Sequence, residues 1–286
     1  MWDWLNQLGW AELLALGASP EVRHVALPVP PGAPMALRGR RLVQLSDLHL
    51  SHWNRGVLEQ AIARVNQIQP DAVVITGDFI TKGPQYLPDL TALLRRLTPP
   101  TWACLGNHDH DDGDHGRAVR RALTRAEVRP LVNEAEVLRL AAGPPVLTLA
   151  GLDDALLGRP CLGTLTHALA RAQEKAGATP PLLLLNHNPQ ATHHYVPSLP
   201  ASWILSGHTH GGQIRLPRAL QTRLFRSPYV AGHYVLPLNR SLYVNQGLGV
   251  AVWVKDWLKG RRLRLRSAIP TLRAWVRPEL TLFEFI

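Results

Sequence analysis

The chain has 286 residues, is 46% hydrophobic and carries a formal net charge of +10, with a sequence pI near 10.4. That apolar content supports a sizeable core and excludes disorder throughout, while the charge points to an anionic partner or substrate: nucleic acid, phospholipid or a phosphorylated small molecule. The two cysteines, Cys104 and Cys161, exclude a disulfide framework and form no CxxC, and Cys104 reads as a buried thiol in an apolar run.

Residues 1–36 read as an amphipathic N-terminal appendage, a Trp- and Leu-rich helix candidate followed by the proline-rich connector LPVPPGAP. No segment offers the ~18 apolar residues of a membrane-spanning helix, and the N-terminus lacks the basic start and cleavage site of a signal peptide. The expectation is an unsecreted, cytoplasmic chain. The main domain is expected over residues 37–286. RLVQLSDLHL reads as a strand, and Val57, Leu58, Ala61, Ile62, Val65 and Ile68 then recur on one helix face. DAVVITGDF is a second strand, Leu87, Leu90, Leu93, Leu94 and Leu97 mark a second helix, and TWACLGNHD is a third strand. VLRLAAGPPVLTLAGLDD suggests two strands across a Gly-Pro-Pro turn. A helix near Leu165 to Lys175 precedes the strands PLLLLNHNP and SWILSGHTHGG, and SLYVNQGLG and ELTLFEF are late strands. This alternation argues an α/β fold. The stretch 255–279 interleaves lysines and arginines with Trp, Leu and Ile.

Strand after strand ends in a polar cluster: SDLH, GD, GNHD, NHN and GHTH. In open α/β sheets ligands collect beyond the carboxyl ends of strands. Read as metal ligands, the clusters offer Asp47, His49, Asp78, Asn107, His187, His208 and His210, with His108 beside them. Asp47 and His49, two apart on a strand, are expected to share a face, as are His208 and His210. Carboxylate, amide and imidazole without thiolate suit Mn²⁺, Fe²⁺ or Zn²⁺. Seven ligands exceed the needs of one catalytic ion, so two divalent ions sharing a bridging carboxylate are expected. The glycines around these residues would let backbone approach closely and leave room for a substrate.

D-x-H, GD, GNHD, H and GHTH in this order resemble the calcineurin-like metallophosphoesterase superfamily, from about Leu42 to Gly249. The resemblance implies a four-layer α/β/β/α sandwich of two mixed sheets with a di-metal site at the strand ends. It implies that Asp47, His49 and His210 hold a first metal, that Asp78 bridges, and that Asn107, His187 and His208 hold the second. His108 would be the catalytic general acid or a donor to the phosphoryl oxygens. The chemistry implied is hydrolysis of a phosphodiester or pyrophosphate by water whose pKa the ions lower.

Taken singly, Asp78 could stop a strand, Asn107 could sit in a turn and His187 could be a core histidine; the ordered set favours metal. His193 and His194 read as a solvated loop, Asp153 and Asp154 as loop-shaping, and Asp109 as a residue that orients His108. His52 and Arg55 follow the first ligand pair and receive no role. GDFITK lacks the valine, aspartate and arginine that follow GD in phosphoprotein phosphatases. LSGHTHGGQIRLP, GLDD, VNQGLG and RPELTLFEF resemble a bacterial subgroup of membrane-associated phosphodiesterases that includes UDP-2,3-diacylglucosamine hydrolases of lipid A synthesis. Members of that subgroup often carry an N-terminal anchor, and here the N-terminal segment is too short to span. The substrate expected is an anionic phosphoester, with a lipid-linked one in view; the amphipathic and basic ends would either meet the cytoplasmic face of a membrane or pack on the sandwich with their arginines in water. A nuclease or cyclic-nucleotide phosphodiesterase is the alternative, although no separate nucleic-acid motif is present. A non-catalytic interaction module would have lost ligands, and here every expected position is filled.

Overall fold

The computed structural model describes residues 19–52, 54–81, 83–111, 115–139, 143–212, 227–249 and 276–286. The first sheet contains β1 (Glu21–Leu27), β2 (Arg41–Leu45), β3 (Ala72–Thr76), β4 (Thr101–Cys104), β5 (Val128–Pro130) and β12 (Glu279–Phe285), in the order β1-β12-β2-β3-β4-β5. The second contains β6 (Glu134–Arg139), β7 (Pro145–Gly151), β8 (Leu182–Leu185), β9 (Ala201–Ser206), β10 (Gly232–Leu236) and β11 (Arg240–Val244), in the order β10-β11-β9-β8-β7-β6. Strands β2 to β5 run parallel, as do β7, β8, β9 and β11. Antiparallel β12, β6 and β10 make both sheets mixed.

The runs LVQL, AVVIT and LLLL are apolar almost throughout because both faces of their strands are covered. Alternate residues sort into separate cores. Val43, Leu45, Val73 and Ile75 face helices α1 (Arg55–Ile68), α2 (Leu87–Leu94) and α3 (His115–Arg125). Leu42, Val74, Trp102, Leu183, Leu185, Trp203 and Phe283 fill the space between the sheets. Leu182, Leu184 and Ile204 face α4 (Leu162–Ala176) and the short α5 (Thr192–Tyr195). The result is the four-layer α/β/β/α sandwich.

Two features depart from expectation. Within the segment read as an appendage, Glu21–Leu27 pairs in parallel with β12, so this part of it belongs to the first sheet. The alternation is blurred there by Glu21, Arg23 and His24, as suits an edge strand. His193 and His194 are exposed, but on the helical turn α5 rather than in a loop, with His193 stacked on Tyr229. The stretches 1–18 and 250–275, which carry most of the expected amphipathic and basic ends, lie outside the described residues.

Glu279 is fully buried at the start of β12, and its carboxylate accepts from Tyr243 Oη (2.7 Å), Gln246 Nε2 (2.6 Å) and Thr281 Oγ1 (2.7 Å). A buried charge with this many donors ties β12 to β11 across the sandwich. Trp203, 1% exposed, meets Phe285 edge to face at 5.1 Å in the same interior. Trp203→Ala is expected to cost ~3–5 kcal/mol in chemical denaturation, with an unchanged denaturant slope.

Candidate metal centre

Each polar cluster follows the carboxyl end of a parallel strand: Asp47 and His49 after β2, Asp78 after β3, Asn107 and His108 after β4, His187 after β8, and His208 and His210 after β9. The first three strands belong to one sheet and the last two to the other, so the cluster closes across the sandwich. Asp47, His49, Asp78 and His210 place ligand atoms within 4.8 Å of one another, and Asp78, His187 and His208 do the same. Asp78 belongs to both groups: its Oδ2 lies 3.5 Å from His49 Nε2 and 3.3 Å from His187 Nε2. Asn107 Oδ1 is 2.8 Å from His208 Nδ1, which is 3.3 Å from His187 Nε2. His210 Nε2 lies 3.4 Å from Asp47 Oδ1 and 3.1 Å from His49 Nε2.

The pairs do not converge by strand alternation. β2 ends at Leu45 and β9 at Ser206, and the ligands stand on the turns beyond. Asp47, His49, Asp78, His208 and His210 all have positive φ, from 41° to 70°. Left-handed backbone at non-glycine residues is uncommon and collects at functional sites. Here it swings successive ligands inward. Close approach of the turns needs Gly207, where a Cβ would meet Ser46 Oγ and the Asp47 carboxylate.

A second layer holds the ligands. His187 Nδ1 donates to the Thr76 carbonyl (2.6 Å) and His49 Nδ1 bonds Thr81 Oγ1 (2.9 Å), directing both Nε2 atoms inward. Asp109 does not orient His108. Its carboxylate accepts from the backbone N–H of Asp78 (3.0 Å), Phe79 (2.9 Å) and Gly106 (2.9 Å), locking the turn after β3 to the turn after β4. His108 is held instead by Asp111, at 2.8 Å from Nδ1. The spacing could have revealed it, since residues i and i+3 eclipse around a 3-10 turn such as Asn107–His110. Asp153 and Asp154 shape the loop after β7 as expected, and Asp153 also meets His110 at 3.0 Å. Arg55 pairs with Glu59 and Asp89, and His52 lies edge-on to Tyr86.

The electrostatics suit cations. Burial disfavours charge on Asp78, yet His187 and His49 outweigh it and hold the carboxyl well below its usual range. Burial also opposes charge on His187, but Asp78 keeps that imidazole well above the ordinary histidine value. His49 is pushed down to about 3 by burial, aided by His210 against the pull of Asp78. Burial and His187 lower His208. Burial, with Asp78 alongside, raises Asp109 to about 7. For His108 burial acts downward, but Asp78 and Asp111 prevail and raise it. Imidazoles, carboxylates and one amide, buried and mutually directed, fit divalent metal ions. Asp78 thus favours a proton on His187, and the protonated imidazole in turn favours the Asp78 carboxylate.

Binding should displace that proton. His187 is protonated below its raised pKa and must be neutral to ligate, so affinity falls as pH is lowered through that value. Calorimetry in buffers of different ionisation enthalpy is expected to show proton release as this group fills, growing as pH is lowered through the raised His187 value. His187→Gln should remove the release.

A calcineurin-like phosphoesterase family profile matches residues 40–212, spanning all of these ligands. The metallophosphoesterase YkuE of Bacillus subtilis is 34% identical, covering 87% of this chain and 80% of its own. The UDP-2,3-diacylglucosamine pyrophosphatase LpxG of Chlamydia trachomatis is 29% identical over 74% of this chain and 79% of its own, and the phosphodiesterase YaeI of Escherichia coli is 28% identical over 86% and 82%. The chain belongs to the calcineurin-like phosphoesterase family, as a metal-dependent phosphoester hydrolase.

Proposed function

We propose that the protein hydrolyses a lipid-linked phosphodiester or pyrophosphate, of the UDP-2,3-diacylglucosamine kind, using two divalent ions. The observation that carries the two-ion reading is the Asp78 carboxylate, within 3.5 Å of a histidine from each ligand group. Asp47, His49 and His210 would hold one ion, Asn107, His187 and His208 the other, with Asp78 contributing to both. Mn²⁺ is the ion favoured, with Fe²⁺ and Zn²⁺ compatible with the same donors. Bound there, the ions supply a water of lowered pKa and neutralise charge on the phosphoryl oxygens.

The chain's own groups do the rest. At Gly207 and Gly106 a Cβ would strike Ser46 and the carboxylates of Asp47 and Asp78, so glycine there lets these groups sit close together. His108 stands at the mouth, T-shaped to His49 at 5.2 Å, with its ring fixed by Asp111. Asp78 and Asp111 favour its protonated form, which can pass a proton to the oxygen that leaves phosphorus as the P–O bond breaks. The lipid-linked substrate is supported by the LpxG likeness and by the basic chain. The phosphodiester reading is supported equally by YaeI, which makes a soluble diester the proper comparison.

The test is hydrolysis by the Mn²⁺-loaded protein of UDP-2,3-diacylglucosamine beside a chromogenic phosphodiester. UMP release is expected, and turnover of the chromogenic ester alone would remove the lipid substrate. Asp78→Asn tolerates the left-handed backbone while removing the charge of the bridging side chain, and should lower turnover at least about 100-fold with loss of bound metal. His108→Ala should keep both ions and lose about 100- to 10,000-fold in kcat. Asp111→Asn should move the alkaline limb of the kcat profile to lower pH, because it withdraws a carboxylate that raises the His108 pKa.

A further inference from the structure

We propose that Glu279, buried on β12 and outside both ligand groups, is a positioning residue for the first metal group of Asp47, His49 and His210. The proposal rests on the two-ion assignment above and is independent of the substrate. It starts from two stretches with no part in the chemistry so far, VNQGLG at the end of β11 and RPELTLFEF along β12. The fold brings them together beside the turn that follows β2. β12 runs antiparallel to β2, with Thr281 opposite Gln44, so its first residue, Glu279, stands at the end of the sheet where Asp47 follows β2. β11 ends level with β9, Val244 opposite Ser206, and Asn245 N donates to Ser206 O at 2.9 Å.

A carboxylate accepts hydrogen bonds and donates none, and that sets the polarity of everything attached to it. Glu279 Oε1 accepts from Tyr243 Oη and from Thr281 Oγ1, each at 2.7 Å. The single hydroxyl proton of Thr281 points to Glu279, so its oxygen is left to accept from Asn245 Nδ2 at 2.8 Å. With its amide nitrogen so committed, Asn245 presents Oδ1 to the Gly247 N–H at 2.7 Å, which closes the turn. Glu279 Oε2 accepts from Gln246 Nε2 at 2.6 Å, and the opposite end of that amide, Oε1, faces Gly211. Arg23 Nε lies 3.4 Å from Glu279 Oε2 and supplies the opposite charge. One fully buried carboxylate thus orients both amides of the Asn245-Gln246-Gly247 turn.

That turn is a clasp on the first group. Gly247 has φ 75°, and a Cβ on it would stand 2.7 Å from Asp47 Cβ and 3.2 Å from Asp47 Oδ2, so its backbone packs directly on the ligand side chain. Leu248 N donates to Ser46 O at 2.9 Å and Gly249 N to Asp47 O at 2.7 Å, which holds the Asp47 backbone from behind. Gln246 stands against Gly211, where a Cβ would lie 2.7 Å from its Oε1, and Gly211 follows His210 directly. The clasp therefore meets the Asp47 turn of one sheet and the His210 turn of the other. The second group is anchored by other residues, His187 through the Thr76 carbonyl at 2.6 Å and Asp78 through Asp109 at 3.0 Å.

Loss of the clasp should be felt unequally by the two ions, whereas a general loosening of the fold would weaken both. Glu279→Gln keeps the size of the side chain but sets an amide nitrogen against that of Gln246. In Mn²⁺ titrations of protein that unfolds cooperatively, this variant should bind one ion about 10- to 100-fold more weakly than the parent. The other ion should keep its affinity within about twofold. At one Mn²⁺ per chain its electron spin resonance spectrum should match that of Asp47→Asn, in which the first group lacks a ligand. Glu279→Gln/Gln246→Glu exchanges the two groups. The amide at 279 then donates to the carboxylate at 246 while its oxygen still accepts from Tyr243 and Thr281, and the exchange-coupled spectrum of an ion pair should return. Gln246→Ala carries the same expectation of unequal loss where Glu279→Gln does not fold. Equal weakening of both ions, parent affinity for both, a one-ion spectrum matching His187→Gln, or no recovery in a folded exchanged pair would each overturn the positioning role and leave the two-ion centre standing. A parent protein that binds only one ion would overturn the two-ion assignment itself, and the positioning role with it.

Discussion

The shared position of the Asp78 carboxylate depends on a residue that faces away from the ligand atoms. Asp109 gathers three backbone N–H groups, two from the turn after β3 and one from the turn after β4, and is itself fully buried. A buried carboxylate is costly unless it is well supplied with donors, and these backbone groups are held by the ends of a parallel sheet. Asp78 is thereby fixed from behind by the same carboxylate that fixes Gly106, beside Asn107 and His108. The distances around Asp78 Oδ2 follow from this arrangement more than from any property of Asp78.

The sandwich adds a second condition. Asp47, His49, Asp78 and Asn107 come from one sheet, and His187, His208 and His210 from the other. Each ligand group needs both. Trp203, Leu183 and Leu185 pack against Leu42, Val74 and Phe283 between the sheets, so the spacing of the two halves is set by close-packed side chains well below the mouth. A volume change in that layer reaches the site as an altered gap. Catalysis and core packing are mechanically linked in such a design.

Much of this was legible in the chain. Apolar runs ending in Asp, Asn and His revealed the strands, their direction and seven residues that the fold gathers, because a parallel strand buried on both faces has an unmistakable composition. What could not be read was how the ligands converge. Alternation along a strand suggested it for Asp47 with His49 and for His208 with His210, whereas the structure uses left-handed turns beyond the strand ends. Asx-type hydrogen bonding from Asp109 to backbone has no pattern in sequence, and the neighbouring His108 was the more obvious partner. β1 escaped notice because an edge strand with Glu, Arg and His lacks the alternation that marks a half-buried one. β5, only three residues long, left too little pattern to read.

The left-handed ligands also bear on how such a site persists. Glycine adopts positive φ without steric cost, while histidine and aspartate hold it against their own preference, at about 1–3 kcal/mol each. Five such residues crowd one small volume, most of them buried. Replacing His208 or His210 with glycine would relax the backbone and remove an imidazole from the centre. An ion bound only by the native chain would offset part of that strain, because it stabilises the fold in proportion to occupancy.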